Sequence, residues 1–317
     1  MRRIVLLIII LGVIVNYSHA QVDSHFSLFE YSQNVFNPGA AGGNDAMCVT
    51  SIHRQQWVGF NSGDGGRPIT TIFSFDMPIS AINSGVGFVI NQDMEGFQSD
   101  LRLKLNYAYR ADLDFAMLGV GIGLGVVHRV INPDWIPPSY LQGGGIYNDP
   151  TLPKMQSKNV FDVDFGATLI STDYWAGFSI THLLQPKINY DNVLLPTYLS
   201  RQIYLTGGYN FNLPNPSFDI LASAIIQADG FFKSTEMQFN VKLLYEKKFW
   251  GGISYRFTEA IVPMIGVHLL NGLSVGYSYD IGVSKLSSKG SHEIMVRYCF
   301  NLGLTKNPTK SRNLRRL

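Results

Sequence analysis

The chain has little cysteine, no long apolar run past its first residues and no surplus of either charge. Each shortage closes off a class of protein. Two cysteines, Cys48 and Cys299, among 317 residues cannot make a disulfide-dense scaffold. Although 46% of residues are apolar, no run of eighteen occurs after the leader, which removes helical membrane spans. Only 15% are charged, and 25 Lys and Arg balance 23 Asp and Glu, which does not suggest a nucleic-acid partner. Catalytic patterns are missing too. The seven histidines are scattered, with no HExxH, CxxC or Gly-x-Ser-x-Gly, so nothing specifies an enzyme, a metal or a cofactor.

The first residues read as a secretory signal. Arg2 and Arg3 precede the apolar run Ile4–Val15, and Ser18-His19-Ala20 offer small residues for cleavage after Ala20. The run is shorter than the roughly 20 residues a membrane helix needs. No cysteine follows it, which argues against a lipid anchor. Removing this leader takes two arginines and no acid, leaving the mature chain near neutral. The basic residues bunch at the end, at Lys306, Lys310, Arg312, Arg315 and Arg316. That tail reads as a solvated end or, as the alternative, a docking peptide.

Between residues 46 and 302 the dominant period is two. Leu101, Leu103, Leu105, Tyr107 and Tyr109 alternate with Arg102, Lys104, Asn106 and Ala108. Met237, Phe239, Val241 and Leu243 likewise alternate with Gln238, Asn240 and Lys242, and Ile294, Val296 and Tyr298 with Glu293, Met295 and Arg297. A soluble sandwich would turn the apolar face inward, whereas a membrane barrel turns it toward lipid. Three features favour the barrel. The segments have the length of tilted membrane strands, aromatics gather near their ends, and charges occupy the face a soluble core would not tolerate.

Fourteen antiparallel strands are expected, at 46–57, 68–77, 84–93, 99–110, 114–127, 159–171, 174–182, 201–211, 217–227, 235–246, 249–257, 260–269, 273–281 and 292–302. With both termini periplasmic, every second connection is short and the long ones, 128–158 and 183–200, face outward, as in bacterial barrels. The fold class is all-β, with residues 1–20 as signal, 21–45 as a periplasmic or lumen-entering segment, 46–302 as barrel and 303–317 as basic tail.

Two features inside this frame raise structural questions. Gly119, Gly121, Gly123 and Gly125 share the lumen-facing phase of one strand. Glycine there either lets another backbone approach (the N-terminal segment, a folded-in loop or a partner) or only permits sharp curvature. Cys48 opens the first strand and Cys299 ends the last, which are neighbours in a closed barrel. A seam disulfide in an oxidising compartment and two inert thiols are both open.

Several motifs resemble the PorP/SprF outer-membrane proteins of the Bacteroidetes type IX secretion system. They are Phe36-Asn37-Pro38-Gly39-Ala40-Ala41-Gly42; Arg54-Gln55-Gln56-Trp57-Val58-Gly59-Phe60 followed by Pro68 and Ser74-Phe75-Asp76-Met77-Pro78; Gly177-Phe178-Ser179-Ile180-Thr181-His182; and Ser291-His292-Glu293-Ile294. The glycine-rich stretch 61–67 is longer than that pattern has. The resemblance implies a fourteen-stranded barrel in outer-membrane lipid that serves protein secretion or gliding motility without being an enzyme. Its partners would be the C-terminal domain of a large secreted adhesin and periplasmic secretion components. A core translocon subunit is the alternative, and a small-solute porin the alternative of another class.

Barrel closure brings two of these motifs to one place. Arg54, Gln56, Trp57 and Phe60 end the first strand at the outer mouth, where Ser291, His292 and Glu293 begin the last. The cluster either closes the barrel and tucks down the first loop, or binds an incoming domain together with the glycine wall.

Overall fold

The computed structural model describes residues 23–59, 67–132, 155–191, 197–230, 234–269, 272–283 and 290–300. The leader, Phe60, most of the longest loop and the basic tail lie outside these residues.

The strands are β1 (Met47–Gln55), β2 (Ile69–Ile79), β3 (Ser84–Glu95), β4 (Gln98–Asp112), β5 (Met117–Ile131), β6 (Gln156–Ile170), β7 (Tyr174–Thr181), β8 (Lys187–Ile188), β9 (Thr197–Tyr198), β10 (Gln202–Asn212), β11 (Phe218–Asp229), β12 (Thr235–Tyr245), β13 (Phe249–Arg256), β14 (Ala260–His268), β15 (Leu273–Gly282) and β16 (Ser291–Phe300). All but β8 and β9 form one closed antiparallel barrel of fourteen strands, with β16 pairing back onto β1. Burial is inverted relative to a soluble protein. Leu103, Leu105, Ile122, Val241 and Leu243 are exposed, while Asn106, Arg110, Asn240 and Lys242 are buried. Apolar side chains outward and charged ones enclosed make a wall that faces lipid.

The strands follow the sequence pattern closely, and several run a few residues past their expected ends. β5 and β6 run further than expected because Arg129 keeps the inward phase and its guanidinium grips Asp100 of β4, at 2.7 and 2.6 Å. The loop after β7 carries the small β8–β9 hairpin, whose Ile188 clusters with Leu199 and with Val127 and Ile131 of β5. One end of the barrel has only short turns, at 80–83, 113–116, 171–173, 213–217, 246–248 and 269–272. The other carries the long connections 56–68, 132–155 and 182–201. Short turns are periplasmic in such barrels, so the loop end is the outer mouth.

The lumen is filled by the chain's own residues 23–46. Three helical turns, Phe29–Tyr31, Gln33–Phe36 and Pro38–Ala40, fold this segment compactly. The last turn is set locally: the Asn37 side chain accepts from the Gly39 amide at 2.9 Å, and Pro38 needs no amide partner at the first helical position. Phe26 and Leu28 pack on Ile52, Ile72, Met264 and Met295, and Phe29 and Phe36 pack on Trp175 and Tyr204. Each such side chain, fully buried, contributes about 1.5–3 kcal/mol.

Candidate functional site

The glycine wall is one of the places where this plug touches the barrel backbone to backbone. A Cβ built on Gly119 would lie 2.4 Å from the Gly39 carbonyl oxygen, and one on Gly121 would lie 2.6 Å from Pro38. Gly85 and Gly166 face Ala41 and Asn37 more closely still, at 2.1 Å. Gly123 and Gly125 do not meet the plug. A Cβ there would meet Asn106 and the backbone of Leu103, both in the neighbouring β4. Half of the wall therefore seats the plug, and Gly123 makes room for inward side chains beside it. Gly119→Ala should push the plug off its seat and cost about 1–3 kcal/mol, whereas Gly207→Ala on the lipid face should be near neutral. Chemical unfolding in micelles would read both; equal effects would refute a seat at Gly119.

Polar contacts fix the plug along its length. Asn37 donates to the carbonyl oxygens of Ala167 and Phe178, at 3.1 and 3.3 Å, and Thr168 donates to that of Gly39 at 2.8 Å. Asn106 donates to the Asn34 carbonyl at 2.7 Å, and Lys104 reaches the Val35 carbonyl. Glu30 accepts from Ser223, Asn240 and Lys242 at 2.6, 2.9 and 3.1 Å.

Near the outer mouth the two expected motifs do meet. Arg54 and Glu293 are register partners across the seam, and Nη1 donates to Oε2 at 3.0 Å. Both are fully enclosed, at 1% and 0% exposure, so neither is available to an outside partner. Glu293 instead accepts the backbone amides of Ser27 and Leu28 at 2.9 and 2.8 Å. Arg54 also reaches Asp280 at 2.6 Å, which Arg256 shares at 2.9 Å. The cluster thus clamps the plug. Trp57 donates its amide to the Ser291 hydroxyl at 3.1 Å, and Val58 to the Gly290 carbonyl at 2.8 Å, tying down the start of the first loop. His292 does not join them. Strand alternation turns it outward, where it meets the Tyr277 hydroxyl at 2.7 Å.

Further partners came from residues outside any motif: Asp23, His25, Ser27, Arg102, Arg256 and Asp280. Asp23 is held by Arg102, by His182 at 3.1 Å and by the Tyr204 hydroxyl at 3.1 Å. Burial resists ionisation of Asp23, but Arg102 and His182 keep its carboxyl well below the usual range. Burial also opposes charge on His182, yet Asp23 and Asp162 outweigh it and push the imidazole up to about 9. The histidine contribution is therefore complete below its unfolded value near 6.5 and is lost as pH rises through about 9. The aspartate contribution has the opposite sense, being lost only in strong acid. Hydrogen exchange at residues 23–28, corrected for intrinsic rates, should speed up between pH 7 and about 9.5; a flat profile would refute the anchor.

Two groups combine histidine and carboxylates within ligand reach: Asp162, Asp164 and His182, and His25, Glu236 and Glu259. In each a cation already stands. Lys104 lies 2.6 Å from Asp164, and Arg256 lies 3.3 and 3.4 Å from Glu236 and Glu259. A metal would add a second positive charge beside the first, so both are ion-pair networks.

Above the clamp a cavity of about 360 Å³ opens at the loop end, floored by Asp23, Ser24 and His25 and walled by Gln56, Trp57, Phe257 and Glu259. A polar cavity of about 100 Å³ adjoins it, sharing Asp23 and Glu95. Together they are lined by seven carboxylates (Asp23, Asp93, Glu95, Asp100, Glu236, Glu259 and Asp280) and four guanidinium groups (Arg54, Arg102, Arg129 and Arg256). The outer mouth is acid-rich.

At the opposite rim Cys48 and Cys299 are register partners and form a disulfide. It joins residues 251 apart, first strand to last. Reduction should lower unfolding free energy by about 2–4 kcal/mol, read as a shift of the urea midpoint with and without dithiothreitol. No shift would mean that the strand ladder alone closes the seam.

No curated protein matches the chain. Among solved structures it is similar to the Pseudomonas putida toluene transporter TodX, at 10% identity and TM-score 0.49, over 84% of this chain and 92% of that one. It is also similar to the translocator domain of the autotransporter NalP from Neisseria meningitidis, at 14% and 0.43, over 81% and 91%. The BamA of Haemophilus ducreyi lacking POTRA domains 1-3 follows at 10% and 0.38, over 81% and 70%. The family model for the type IX secretion system membrane protein PorP/SprF matches residues 18–298. With that match running from before the plug to the last strand, the chain belongs to the PorP/SprF family of type IX secretion system membrane proteins.

Proposed function

We propose that this barrel is a non-enzymatic outer-membrane partner in type IX secretion and gliding motility. It receives the C-terminal domain of a large surface adhesin at its outer mouth, for export or anchoring. The observation that supports this reading most is the filled lumen. Residues 23–46 are held by buried ion pairs and close backbone contact, which suits a solute porin poorly. The open concavity left on the outer side is the 360 Å³ cavity with Trp57 and Phe257 in its wall, and aromatic side chains favour protein docking. The clamp residues then act by holding the plug that floors this cavity rather than by touching the partner. A core translocon subunit is the second reading, with partners on the periplasmic side.

Comparison of surface and secreted proteomes with and without the gene tests the proposal. Loss of one or a few large adhesins is expected. Loss of many unrelated cargo proteins would make the protein a core subunit, and an unchanged proteome would overturn the secretion role.

A further inference from the structure

The path of the plug fixes where its amino-terminal end stands. Asp23 sits at the loop end, bound to Arg102 and His182. Ser24 donates to Asp93 at 2.7 Å and His25 lies 3.1 Å from Glu236, both at the outer ends of their strands. From there the chain descends past Glu293 at Ser27, Lys242 at Glu30 and Gly119 at Gly39, and β1 starts at Met47 on the short-turn rim. The segment runs the full height of the lumen, outside to inside, before the wall begins. The described chain therefore starts at the loop end and not, as expected, in the periplasm; only the barrel itself, from the start of its first strand to the end of its last, begins and ends at the short-turn rim.

We infer that the amino-terminal end of the plug, residues 23–25, is displayed at the outer mouth, and that peptide hydrolysis between Ala20 and Gln21 precedes seating of the plug. In that hydrolysis water is added across one peptide bond, leaving a carboxylate on the leader and an ammonium on Gln21. Two residues then separate the new terminus from Asp23, a reach of at most about 7 Å. An uncut leader would have to pass a lumen packed backbone to backbone and leave the run Ile4–Val15 in water outside the cell. The charge of the mouth supports the same placement. Seven carboxylates face four guanidinium groups and the His182 imidazole there, so acid outnumbers base. A new ammonium group at this point offsets part of that excess. The inference rests on the reading of residues 1–20 as a signal and of the short turns as periplasmic.

Because the native cysteines are bonded to each other, Ser24→Cys carries a single free thiol. Intact cells are treated with a membrane-impermeant maleimide, with Ser234→Cys as the loop-end control and Asn215→Cys as the short-turn control. S24C should label on intact cells as S234C does, while N215C labels only after the outer membrane is permeabilised. Labelling of S24C only after permeabilisation, or in neither state, would overturn display at the mouth. Controls that label in the reversed order would overturn the orientation itself. The mass of the purified chain reads the processing step separately. Loss of residues 1–20 is expected; a chain starting beyond Asp23, or one that keeps its leader while S24C labels, would overturn the order.

Discussion

Deleting residues 23–44 should turn a closed barrel into a conducting one. The inward face of the wall carries charged groups from Arg54 and Asp280 near the mouth to Arg297 and Asp76 near the other rim, with an apolar patch at Ile52, Ile72, Met264 and Met295 between them. An emptied lumen still has enough polar lining to fill with water. In planar bilayers the deletion should show steps of conductance at least about tenfold above the intact protein, since fourteen strands approach the size at which barrels enclose aqueous channels. Heat-modifiable migration on gels would establish that the shortened chain still closes. A folded but silent barrel would show that the outer loops, not the plug, seal it.

The second large effect is expected at Arg54. Arg54→Met leaves Glu293 and Asp280 enclosed, with Arg256, among the described residues, as the one guanidinium still in contact with Asp280. Removing one partner of a buried ion pair typically costs about 3–5 kcal/mol, because the stranded charge keeps its desolvation penalty. Exchange should accelerate first at the amides of Ser27 and Leu28, both bound to Glu293. Adding Glu293→Gln to the same chain should restore part of the loss, since the stranded charge is removed. A double-mutant cycle measures that coupling. Additive losses within about 0.5 kcal/mol would mean that the pair does not act as a unit.

The wall was legible in the sequence because lipid imposes a strict period of two on long segments such as 235–245. The meeting of Arg54 and Glu293 followed from closure and register alone. The plug was legible only as one alternative, a segment 21–45 that could enter the lumen and meet the glycine wall. Its path and contacts were not, because an irregular segment has no period, and Asp23 or Ser27 looks like any polar loop residue. A trace of it did exist. Ile52, Ile72, Val262, Met264 and Met295 are apolar in the inward phase, where an empty lumen would want polar groups. His292 was misplaced for the opposite reason: its motif drew it into the cluster, while its position in the alternation turned it away. The aromatics of the mouth could be placed on the loop side, but not their relation to Asp23 and His25, which depends on how the plug is threaded.

The seam is sewn at one end only. At the periplasmic rim the first and last strands share a covalent bond through Cys48 and Cys299, while at the outer rim Arg54 and Glu293 hold them by charge. A zipper built this way has a direction. A pull applied from the periplasm meets a bond that does not yield, and the wall can part sideways only from the cell-surface end downward. An extracellular partner that engages the mouth therefore meets residues 23–25 of the plug and the end of the seam that can open, whereas a periplasmic one meets the plug only where it runs on into β1, beside the bonded end of the seam.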